Sequence, residues 1–125
     1  MEINQSNTAG GSLQIASEVV EKIARLAAME INGVAEVSLG NSSVKNLLSR
    51  INPQNPILVE MKDDVADITL NIVVEYGTKI AELSEAVQKN VKSSVQSMTQ
   101  ITVAKVNIVV TGIAVDEPVP NAARQ

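Results

Sequence analysis

Apolar and polar positions follow two rhythms along this chain. From Ser17 onward, apolar residues recur at Val19, Val20, Ile23, Ala24, Ala27 and Ile31, the three-to-four spacing of one helix face. Ser17 is placed to cap that helix, with Glu18 and Glu21 in the first turn, where the helix dipole favours acids. Glu18 with Lys22 and Glu21 with Arg25 fall four apart on the other face, and Asn32-Gly33 is the expected stop. A second stripe runs through Ile80, Leu83, Val87, Val91, Val95 and Met98, with Thr78 as its expected cap after the Gly77-Thr78 turn.

Between and around these helices the period drops to two. Over Ala66 to Tyr76, Ile68, Leu70, Ile72 and Val74 share one side, while Asp67, Thr69, Asn71 and Glu75 share the other with Val73 among them. This alternation predicts a strand with one buried and one wet face, paired with Ile57–Lys62 across a turn at Asp63-Asp64. Ile101 to Thr111 reads as the last strand, with Val106, Ile108 and Val110 inward and Lys105, Asn107 and Thr111 outward. Ser12–Ile15 and Val34–Leu39 are two further strand candidates, and Val44, Leu47, Leu48 and Ile51 suggest a short helix halted before Pro53. The expected fold is α+β: a two-layer sandwich with two long amphipathic helices on one face of a mixed or antiparallel sheet. A short echo between Ser17–Lys22 and Ser84–Lys89 fits convergence of two amphipathic helices better than duplication.

Length turns this pattern into a single domain. The 125 residues suffice for one core, expected over residues 11–115, with polar tails at 1–10 and 116–125. Composition then excludes most chemistry. The chain has no Cys, His, Trp or Phe and a single aromatic residue, Tyr76. Thiol catalysis, disulfides, Cys/His zinc sites and Ser-His triads are therefore ruled out. Phosphate-binding loops of the GxGxxG or P-loop type are missing too. Asp63, Asp64 and Asp67 lack the spacing and the glycine of a calcium loop and read as a solvated turn. No metal, cofactor or enzymatic activity is expected.

A net charge of -4 with scattered signs offers no basic stripe for nucleic acid and no polybasic patch for an anionic membrane. No segment approaches the roughly 20 apolar residues of a membrane span. The polar start lacks the pattern of a signal peptide, and neither a Gly after Met1 nor any Cys is present for lipidation. A cytoplasmic protein is expected, reaching a membrane only through a partner.

Three places invite a functional reading. Glu30, at the end of the apolar run Leu26–Ile31, is either a partly buried functional acid or, more plainly, a residue at the stripe's edge. Tyr76 either touches a partner or fills the gap between sheet and helix. Val73, Asn107 and Val109 belong to a low-charge outer sheet face that is the candidate interaction surface, with the segment 41–56 as the alternative.

The residues Gly11–Ile15, Val19-Val20, Ile23-Ala24, Ala27-Ala28, Glu30 and Gly33-Val34, followed by Val74–Ile80, Gln88, Met98-Thr99, Val106–Ile108 and Gly112-Ile113, together resemble the alkaline-shock-protein family of Gram-positive bacteria, the YloU-like group. The resemblance spans about residues 11–115. It marks Gly33, Tyr76, Gly77, Gln88 and Gly112 as signature positions of structural character. Gln100 departs from the family, which often carries Gly after the Thr. The resemblance implies a non-enzymatic protein of cell-envelope homeostasis and stress tolerance, acting through itself or a membrane-anchored protein partner. Two other roles stay open: an accessory protein of a lipid-metabolism enzyme, and a small acyl- or ligand-binding domain with an apolar pocket between sheet and helices.

Overall fold

The computed structural model describes residues 10–40 and 55–115. The expected helix around Val44–Ile51, most of the 41–56 segment and nearly all of both tails lie outside the described residues. The elements are α1 (Ser17–Met29), β1 (Val34–Val37), β2 (Ile57–Lys62), β3 (Val65–Glu75), α2 (Ile80–Thr99) and β4 (Thr102–Ala114). The fold is α+β, with two helices and one four-stranded sheet.

β3 is the hub. β2 pairs antiparallel with its first half, from Ile57↔Leu70 to Lys62↔Val65, and β1 pairs antiparallel with its end, at Val34↔Val74 and Val37↔Ile72. These two short strands lie end to end along one edge of β3. β4 runs parallel to β3 along the other, from Val65↔Thr102 to Glu75↔Ala114, so β3, α2 and β4 form a βαβ crossover and the sheet is mixed. The β2–β3 hairpin closes on two residues with positive φ, Asp63 at 53° and Asp64 at 67°, the backbone of a type I′ turn.

Ile68, Leu70, Ile72 and Val74 are all buried, as the period of two predicts. They share one core with Val20, Ile23, Ala24, Ala27 and Ala28 of α1 and with Leu83, Val87, Val91 and Val95 of α2. Val106 is buried on the same core, and Ile108 and Val110 are partly buried against it. Asn90 stitches the helices together: its Nδ2 donates to Ala27 O at 2.7 Å and to Glu30 Oε1 at 2.8 Å. Glu30 is thus an exposed residue at the stripe's edge. Asn90→Ala removes both bonds and leaves the Ala27 carbonyl poorly satisfied, so a loss of about 1–2 kcal/mol is expected in urea denaturation. An unchanged midpoint would show that the helices dock without it.

Several expectations need correction. Ser12–Ile15 forms no strand; with β1 and β2 along one edge of β3 and β4 along the other, β3 has no edge left for it. Neither helix takes its predicted cap. Ala16 and Lys79 are the N-cap residues, both without a side-chain bond, which puts Ser17 inside its helix and Thr78 before the other. Helix α1 closes at Glu30, three residues before Gly33. The predicted Glu21–Arg25 pairing gives way to other partners: Arg25 Nη1 donates to Val37 O at 3.2 Å, and Glu21 Oε1 accepts from Asn55 at 2.8 Å. Val19 is exposed, and so is Met98 at 69%; Thr99, four residues after Val95, completes the buried stripe instead. Thr99 is buried because its hydroxyl has partners, donating to Val95 O at 2.6 Å and accepting from Ile101 N at 3.1 Å.

Candidate interaction surface

The face of the sheet that alternates with the core is where the candidate surface was expected, and its three residues meet different fates. Asn107 is exposed, with its Nδ2 3.3 Å from Thr69 Oγ1 on the neighbouring strand. Val109 is 44% exposed. Val73 is only 8% exposed and presents no surface. The cause lies in how the chain leaves β1. Ser38 still bonds the β3 ladder through Asn71 O, yet its own carbonyl accepts from Thr111 Oγ1 on β4 at 2.9 Å. The stretch Ser38–Gly40 therefore passes over β3 next to Val73, with Gly112 of β4 against its other flank. A lysine at Val73 would have to push this packing aside.

β4 owes its local form to two irregularities. Its register against β3 shifts between Ala66 and Asp67 and again between Ile72 and Val73, which leaves Ala104 and Thr111 as extra residues. Thr111 Oγ1 also lies 3.1 Å from Ile72 O, so its one proton is shared between that carbonyl and Ser38 O. On the edge away from β3, two side-chain amides of α2 reach the strand backbone. Gln88 Nε2 donates to Val106 O at 3.0 Å, and Gln96 Oε1 accepts from Val103 N at 2.9 Å. Gln88 was singled out from sequence; Gln96 was not. The signal was available, since Gln96 lies eight residues on and so on the same side of the helix.

The remaining signature positions have different surroundings. Gly33 packs against Thr78 and Leu83, and its carbonyl accepts from Glu75 N at 2.8 Å. Gly77 makes the turn into α2. Tyr76 does not fill the gap between sheet and helix: it is 77% exposed, while its backbone N–H donates to Ala114 O at 2.9 Å. Small valines and alanines already close the layer, so no space remains for a ring.

Among the described residues no cluster of three or more Asp and Glu is placed to hold a metal. An open groove of about 680 Å³ beside the end of α2 is lined by Lys89, Lys92, Ser93, Gln96, Ser97, Gln100, Ile101 and Thr102. No described helix is long and apolar enough to cross a membrane.

The sequence model of the alkaline shock protein 23 family, described as having a cell envelope-related function, matches residues 5–115. The chain belongs to this family. Two relatives in Bacillus subtilis are the uncharacterized proteins YqhY and YloU. YqhY is 32% identical over 118 residues, covering 93% of this chain and 87% of the relative. YloU is 31% identical over 111 residues, covering 86% and 92%. Among solved structures, the copper form of a MamM CTD variant aligns with 78% of this chain and 98% of its own, at 12% identity and a TM-score of 0.49. Gln100 ends α2 in the αL conformation, with φ 68°, a backbone that glycine adopts without cost. The helix thus stops on a non-glycine residue held in the left-handed region.

Proposed function

We propose that this alkaline-shock-family protein is a non-enzymatic component of cell-envelope homeostasis and stress response, working in the cytoplasm through self-association and through contacts with a membrane-anchored protein. The observation that carries this reading is where the apolar surface goes. Val20, Ile23, Ala24, Ala27 and Ala28 of the first helix and Leu83, Val87, Val91 and Val95 of the second lie in one core with β3. Undocking a helix to enter lipid would forfeit about 25 cal/mol for each Å² of apolar surface uncovered. The apolar residues left outside are scattered, among them Leu26 and Met98 on the helices and Leu58, Val109 and Ile113 on the strands, and none forms a continuous stripe along a helix.

The pure protein is therefore expected to stay at the bottom of a flotation gradient with phosphatidylcholine vesicles, with or without phosphatidylglycerol. In cells it should sediment partly with membranes and lose them when its anchor is deleted. Salt-resistant flotation with protein-free vesicles would overturn the reading. Affinity capture that returns lipid-metabolism enzymes in place of a membrane protein would replace it with an accessory role.

A further inference from the structure

The open edge of β4 is managed unevenly. Gln88 and Gln96 cover its backbone at Val106 and Val103, and the bulge at Ala104 with Lys105 beside it adds the guards usual for an exposed edge. Beyond Val106 the guards stop. Because Val106 O points away from β3, the pleat turns the N–H and C=O groups of Ile108 and Val110 the same way. β4 pairs with β3 alone among the described strands.

The side chains there suit a particular occupant. Val106 to Val115 contains no charged residue and no proline, and it is rich in valine and isoleucine. Between Ala86 and Val115 the chain carries Lys89, Lys92 and Lys105 and no acid at all, although its net charge is -4. Along the uncharged stretch Val106–Val115 two antiparallel copies of the strand would set no like charges directly opposite one another. On the helix side, Ile108 and Val110 are half-buried and Ile113 is 55% exposed, an apolar margin that a second strand would cover.

We propose that the β4 edge at Asn107–Thr111 is a homodimer interface, in which β4 of a second copy adds antiparallel about a twofold axis at Val109. This rests on the self-association reading above and gives it a site. Ile108 of each copy then exchanges both backbone hydrogen bonds with Val110 of the other, and the two Val109 side chains meet as a non-hydrogen-bonded pair. The same edge is used on both sides, so the contact closes as a dimer. Gln88 limits the pairing at Val106.

The chain's lack of cysteine makes the test direct. Opposed residues of a non-hydrogen-bonded pair stand about 4.5 Å apart at Cα, within disulfide range. The full-length Val109→Cys protein should oxidise to a disulfide-linked dimer much faster than Met98→Cys, although Met98 is the more exposed position. Val109→Lys and Val109→Glu should each sediment as monomers with unchanged circular dichroism, and an equimolar mixture should recover the dimer. A wild type that sediments as a monomer at every soluble concentration would overturn both the site and the self-association reading. A dimeric wild type whose Val109→Cys form crosslinks no faster than Met98→Cys would overturn the site alone.

Discussion

Replacing Gly33 by alanine is expected to lower the thermal midpoint by about 10 °C, while the same change at Gly77 costs a fraction of that. Both glycines have a positive φ, 106° and 93°, so both substitutions carry backbone strain of about 1–2 kcal/mol. Only Gly33 adds a steric term. A Cβ there would sit 2.9 Å from Leu83 Cδ1 and 3.0 Å from Thr78 Cγ2, whereas at Gly77 nothing lies within 4 Å. Leu83 is itself buried in the core, so relieving the clash means moving the start of α2. Overpacking of this kind adds about 1–3 kcal/mol, and the total of about 3 kcal/mol sets the midpoint shift for a domain of this size. Thermal melts followed by far-ultraviolet circular dichroism decide the matter. Equal shifts for Gly33→Ala and Gly77→Ala would mean that the approach of α1's exit turn to α2 is looser than described.

The second large effect belongs to Leu70. Leu70→Ala should destabilise by about 3–4 kcal/mol, the transfer cost plus the cavity left in a core that cannot collapse. Thr69→Ala, one residue away, should cost under about 1 kcal/mol, because it loses only the long contact with Asn107. The contrast measures the facing of β3 directly, since a one-residue slip would exchange the two results. Urea denaturation of both variants against the wild type supplies the values.

β3 was legible for the reason those variants exploit. Eleven residues with a period of two, buried on one side, leave one solution for the strand and its hairpin. The helices were legible from their stripes, but their ends were not. Ser17 and Thr78 have the chemistry of caps, yet the chain enters each helix one residue away from where that chemistry would act. Met98 and Thr99 were exchanged for a related reason: Met98 matches the stripe by polarity, while Thr99 matches by spacing and satisfies its hydroxyl within the helix. Val73 and Tyr76 were misplaced because their exposure depends on contacts distant in sequence, the passage of Ser38–Gly40 and the close valine packing. The bulges at Ala104 and Thr111 leave no local mark, and with them the asymmetry of the β4 edge stayed hidden. The contacts of Gly33 with Leu83 and of Gln88 with the strand edge join positions far apart in the chain, so no local pattern marked them.

The placement of β3 at the centre also sets a timetable for the nascent chain. Its long edge waits for β4, whose last paired residue is Ala114. Roughly 40 residues of synthesis separate the end of β3 from that point, about 2–8 seconds at common elongation rates. During that interval the most apolar strand of the protein has one side paired and the other open. The short β1 and β2 partners, which precede β3 in the chain, are ready in time to shield its first edge. The second edge stays open until β4 has been made, so slower elongation through α2 should raise the aggregated fraction, and faster elongation should lower it.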